Sequence, residues 1–228
     1  MSKTSPVILC RKVQSVNLDD WSALGALFRD ADFALFQQSW LAQPAPGFRP
    51  ARAAMVWTAD SLVVYAELCD DDIHNTIPAD DFNRMAIEFG DVFEIFLKPA
   101  GQESYFEFHV APNNHKLQLR FPCLEPFKKL KDTFNTPEEL FDSFKIWKPV
   151  VESRVRIDAA AKKWWVAVRI PLAMLVEAAP PAPGVRWLFS CCRYDYTRPG
   201  SEPVHSSTSP HSALNCHLVH EYGTMEFA

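Results

Sequence analysis

No apolar run in this chain approaches the roughly 20 residues needed to span a bilayer, so no membrane span is expected. The opening MSKTSPVILCRKV lacks the sustained apolar stretch of a secretory signal, which favours the cytoplasm unless a leader has been removed. Six cysteines stand at positions 10, 69, 123, 191, 192 and 216 with no CxxC and no regular metal spacing, so buried reduced thiols are expected. GxSxG, HExxH and a glycine-rich phosphate loop are all absent, which removes three sequence signatures of hydrolases and nucleotide enzymes. Positive charge is scarce: the net charge is -5, and acids dilute the small cluster Lys128, Lys129 and Lys131. Nucleic acid is therefore not an expected partner, because phosphate binding calls for a concentrated basic face. There is no internal repeat.

What remains is a globular composition, 48% hydrophobic and 22% charged, over 228 residues. Short aromatic and β-branched runs recur at 51–58, 61–69, 92–97, 105–110, 115–121, 150–158, 162–170, 185–196 and 222–227, with turn residues between them. This predicts an all-β chain: a two-sheet antiparallel β-sandwich with short helices and one long loop excursion, forming a single domain over 1–228. Residues 1–48 read as an N-terminal strand and helical cover, with Asn17 or Asp19 as candidate cap. The excursion spans 122–148, with a helix expected over 137–144 capped by Thr136, with Pro137 at its first position.

The segment from Asp91 to Pro112 is the expected central hairpin. Phe106, Phe108 and Val110 share one face of its second strand, and Tyr105, Glu107 and His109 share the other. Glu94 is the one formal charge in a first strand that is apolar on both faces, so it needs a partner or a ligand. A register in which paired residue numbers sum to about 202 sets Glu94 opposite Phe108. Glu94 and Glu107 then face opposite sides, a poor arrangement for a glycosidase pair. Asp70, Asp71 and Asp72 form an oxygen-rich strand end that suits a hard cation such as calcium, or a solvated turn. His205, His211, His217 and His220, with Cys216 and Asn215, are candidate zinc ligands or ordinary loop residues.

Six segments in order resemble the family 9 carbohydrate-binding modules: 49–73, GDVFEIFLKP (90–99), YFEFHVAPNN (105–114), KKWWVAVRIPLAML (162–175), VRWLFSCCRYDY (185–196) and 209–227. The resemblance implies noncatalytic binding of a mono- or oligosaccharide, with structural calcium as the accompanying ion. Asp91 and Glu94 match the family's acidic pair, Tyr105 and Glu107 its aromatic–acid pair, and Asn113 the residue after its proline. The family's two sugar-stacking tryptophans are replaced near Glu88 and Thr208, which leaves Trp147, Trp165 or Trp40 as candidate stacking rings; Arg193, a polar group at the far end of the 185–196 run, is a further candidate contact. Two further readings stay open: a structural or protein-interaction sandwich that has lost sugar binding, and a glycan-active or metal-dependent hydrolase.

Overall fold

In the computed structural model, residues 4–176, 180–198 and 202–228 are described. The order of elements is β1 (Val7–Lys12), α1 (Trp21–Phe28), β2 (Ala34–Leu35), β3 (Ala51–Trp57), β4 (Ser61–Cys69), β5 (Val92–Lys98), β6 (Tyr105–Val110) and β7 (Lys116–Phe121). It continues with α2 (Pro126–Leu130), α3 (Pro137–Ser143), β8 (Glu152–Asp158), β9 (Lys163–Pro171), α4 (Leu172–Leu175), β10 (Arg186–Asp195), β11 (Val204–Ser207) and β12 (Gly223–Phe227). No helix among the described residues is long and apolar enough to cross a membrane.

The expected pair of separate antiparallel sheets does not form. One ladder runs β7-β6-β5-β10-β12-β1-β3-β4-β9-β8, with β11 added to β10 and β2 to β3. Strand β1 makes it continuous and mixed. Its residues Val7 to Cys10 run parallel to β12, and Arg11 and Lys12 run parallel to β3. The result is a single curled sheet, a half-barrel, whose two arms close over a shared core. Phe93, Ile95, Leu97, Phe106 and Phe108 of one arm belong to the same buried cluster as Leu62, Val64, Ala66, Trp164 and Val166 of the other. Each such side chain contributes about 1.5–3 kcal/mol on burial, so the curl is held by its inner face.

The outer faces are covered differently. On the β3–β4–β9 arm, α1 lays Leu24 and Phe28 over Val56, Val63 and Tyr65. Its cap is Asp20, whose Oδ1 accepts the Ala23 N–H at 2.9 Å, and not Asn17 or Asp19. On the other arm, the excursion packs Leu140 and Phe144 onto Leu117, Leu119 and Phe121. Thr136 caps α3 by accepting the Glu139 N–H at 3.1 Å, and Glu139 accepts the Asn135 N–H in return, with Pro137 in the first turn. The 209–222 loop and residues 76–89 complete this cover and leave a cavity beneath it.

Candidate functional site

The cavity floor is set by the pairing of β5 with β6. Glu94 lies opposite His109, and Phe96 opposite Glu107, one residue away from the register expected above. Because side chains alternate, that single step puts Glu94, Glu107 and His109 on one face and leaves Phe106 and Phe108 on the other. All three polar groups are buried. His109 Nε2 stands 3.1 Å from Glu94 Oε1 and bonds Glu107 Oε1.

The cavity above them has a volume of about 340 Å³. Its walls include Phe96 from β5, Tyr194 from β10 and His205 from β11, with Asn215, Cys216 and His217 from the covering loop. Tyr194 and His205 meet edge to face at 4.4 Å, and Phe96 meets His217 in the same way at 5.4 Å. His217 bridges two groups: its Nδ1 is 3.0 Å from the Tyr105 hydroxyl, and its Nε2 is 3.8 Å from Glu107 Oε2. That Glu107 oxygen is buried without a hydrogen-bond partner.

The three floor groups divide the charge unequally. Burial drives the Glu94 carboxyl well above the usual carboxylate range, with His109 opposing and Glu107 reinforcing. Burial acts on Glu107 too, but the charge of His109 and its hydrogen bond outweigh it and hold Glu107 low. For His109, burial favours the neutral ring, and the two carboxylates overcome it and raise the pKa. The shifts favour the protonated form of Glu94 and His109 and the ionised form of Glu107, so the floor holds groups able both to donate and to accept.

The other expected ligand residues are scattered. Tyr105 is buried and stacked on Phe121 at 4.6 Å, reaching the site only through His217. Asn113 is a turn residue, donating to Ile77 O and accepting the His115 N–H. Trp147 is 58% exposed beside a separate groove of about 950 Å³ that also holds Phe134 and Met174. Trp165 lies on the opposite arm beneath the cations of Arg156 and Lys163. Arg193 is wholly buried on the inner face of β10. The sequence reading missed His109 and Tyr194 as site residues; the two-residue spacing of His109 from Glu107 is the signal that finds it. Of the histidine-rich loop, His205 and His217 line the cavity, His211 is buried beside Ser190, and the His220 side chain is 75% exposed. Among the described residues, no set of three convergent ligands contains two of these four histidines.

The three consecutive aspartates also separate. Asp71 pairs with Arg49 and with Lys162 at 3.0 Å, and Asp72 pairs with Arg198 at 2.6 Å. Only Asp70 joins a convergent set, with Asp91 and Asp195, all buried. This oxygen-only trio has the right chemistry for calcium, but Arg193 already supplies its cation. Arg193 Nη2 donates to Asp70 Oδ2 at 2.9 Å and lies 3.1 Å from Asp195 Oδ2. Both Asp91 oxygens are also taken, by the N–H groups of His74 (2.7 Å) and Tyr196 (2.8 Å). The trio therefore does not fit a calcium ion without expelling the guanidinium. Burial, followed by the charge of Asp70, pushes Asp91 up to about 8, and burial pushes Asp195 up to about 7 against the pull of Arg193.

Comparison with solved structures shows distant homology of fold to carbohydrate-binding proteins of the family 9 type. A candidate carbohydrate-binding protein from Bacteroides uniformis aligns with a TM-score of 0.70 at 14% identity, covering 99% of this chain and 100% of that one. A family 9 carbohydrate-binding module from Caldicellulosiruptor kristjanssonii in complex with cellotriose aligns with a TM-score of 0.60 at 14% identity, over 97% of this chain and 93% of that one. The glucose complex of a family 9 module from the same organism gives 0.61 at 14% identity, over 97% and 95%. No family model matches the chain. No curated protein matches it either.

Proposed function

We propose that this chain binds a mono- or short oligosaccharide in the cavity above Glu94, Glu107 and His109, without breaking it. The observation that carries this reading is the placement of those three buried polar groups on one face, under a cavity otherwise walled by the rings of Phe96, Tyr194, His205 and His217. A sugar offers hydroxyls to the polar floor and C–H faces to rings, and the cavity volume lies at the small end of the roughly 300–1,000 Å³ range of ligand sites. The free oxygen of Glu107 is a ready acceptor for a hydroxyl. His109 stands between the two carboxylates and takes both as partners, an arrangement that suits holding better than acid–base attack on a glycosidic bond. The glucose and cellotriose bound by proteins of the same fold are the natural first ligands to try.

Calorimetric titration with glucose, cellotriose and a wider glycan panel tests the proposal. A hydrogen bond to a charged group is worth about 1.5–3 kcal/mol, so Glu107→Gln is expected to weaken binding by roughly 10–100-fold. Folded protein that binds no saccharide would overturn the reading and favour a structural or protein-interaction role.

A further inference from the structure

We infer that the floor of this cavity is also a site for a divalent transition-metal cation, held by Glu94, Glu107 and His109, with zinc as the reference ion. Each of the three offers a ligand atom within 4.8 Å of the other two, and all are buried. Three protein ligands with a fourth position open to a cavity is the arrangement of an accessible zinc site.

Two features separate this cluster from an ordinary buried ion pair. His109 Nε2 carries at most one hydrogen, yet it faces oxygens of both Glu94 and Glu107, while Glu107 Oε2 is buried with no hydrogen bond at all. The Nε2–H can point at only one of the two carboxyl groups it faces, and His217 Nε2 stands 3.8 Å from Glu107 Oε2, too far for a hydrogen bond. A cation placed among these atoms can engage all of them. In addition, none of the cavity's described lining residues is a lysine or arginine. The aspartate trio on the inner face differs in this respect, because Arg193 supplies its positive charge.

The choice of ion follows from the donors. An imidazole nitrogen sits with two carboxylates, and the separate set Glu94, Cys192 and Cys216 shares only Glu94 with them. An imidazole donor favours zinc-like cations over calcium or magnesium, which take oxygen-only shells. The inference does not rest on the carbohydrate reading.

The test uses the full chain purified without a metal-binding tag, stripped with a chelator and dialysed. Titration with zinc chloride alone, in the absence of any saccharide, is expected to show one tight site, with calcium and magnesium giving none. Removing supporting partners of metal ligands costs about 10–100-fold, so Glu107→Gln and His109→Gln, direct ligands here, are expected to lose at least about 100-fold. Cys216→Ser is expected to stay within about threefold, since thiols are not among the assigned ligands. Circular dichroism checks that each variant is folded. A cobalt-substituted wild-type sample reads the ligand set without mutation: visible d–d absorption without a thiolate charge-transfer band is expected. Absence of stoichiometric zinc binding, full binding in folded His109→Gln, or a strong thiolate band would each overturn the assignment. Because no sugar is present in these experiments, failure to bind saccharide leaves their outcome standing.

Discussion

Three buried carboxylates share one guanidinium where the two arms of the sheet meet, and this arrangement makes stability depend on pH near neutrality. Asp70, Asp91 and Asp195 face Arg193, with the His74 ring nitrogen 3.8 Å from Asp91 and Arg49 and Asp71 as the next charges around Asp195. Fully ionised, the cluster carries two uncompensated negative charges, so the folded state retains protons that the unfolded chain releases near pH 4. Asp91 is raised to about 8 and Asp195 to about 7, both above their unfolded values. Acids shifted in this direction stabilise the fold at low pH and lose that contribution as pH rises through the folded values. The window to read is pH 6.5 to 8. The buried histidines whose pKa is lowered, His115, His205 and His211, exert their effect below it. His109 and Glu94, both raised, add a fall of the same sign within it, so the comparison with a variant of the aspartate cluster isolates that cluster's share. One proton released over about 1.5 pH units at about 1.4 kcal/mol per unit gives about 2 kcal/mol. At 2–4 °C per kcal/mol, Tm is expected to fall by roughly 4–8 °C between pH 6.5 and 8. Asp195→Asn keeps an oxygen for Arg193 and removes the group raised to about 7, while Asp91, raised to about 8, still loses its proton in this window, so it should reduce the cluster's fall by about a third. Thermal melts of both proteins across this window provide the measurement. A wild-type Tm that is flat or rising, or an unchanged fall in Asp195→Asn, would refute the reasoning.

Four further outcomes are expected. If Arg193 is the cation of this cluster, adding millimolar calcium to chelator-stripped protein shifts Tm by no more than about 1 °C, and Arg193→Met, which strands buried carboxylates, costs about 3–5 kcal/mol in chemical denaturation; a calcium-dependent rise of several degrees would contradict this. Trp147→Ala should leave glucose affinity within about twofold, because the ring borders a groove separate from the cavity, and calorimetry reads the difference. Gly90 sits at φ +137°, where an added Cβ would fall on the His74 carbonyl oxygen, so Gly90→Ala should cost on the order of 1–3 kcal/mol in denaturant unfolding.

The strand positions were legible because each run is short, apolar and bounded by turn residues; β6 spans the expected residues, and most others differ by one or two at an end. Two things were not legible, for related reasons. In β5 and β6 both faces are buried, so the hydrophobic pattern assigns no side to water and cannot specify the register. The pairing of Glu94 with His109, and with it the whole polar floor, depends on that one-residue choice. Period-two alternation also reports which side chains are covered, not which strands are neighbours. The division of β1 between β12 and β3, which joins two expected sheets into one, leaves no trace in it. Arg193 illustrates the same limit: it was grouped with ligand contacts on composition, whereas alternation along β10 turns it inward, away from Cys192 and Tyr194.

A crystal structure of the protein grown with glucose or cellotriose shows directly where a saccharide sits. A pyranose ring is expected in the cavity bounded by Phe96, Tyr194 and His217, with a hydroxyl donating to Glu107 Oε2. Saccharide density confined to the Trp147 groove, with the cavity above Glu94, Glu107 and His109 holding none, would contradict it.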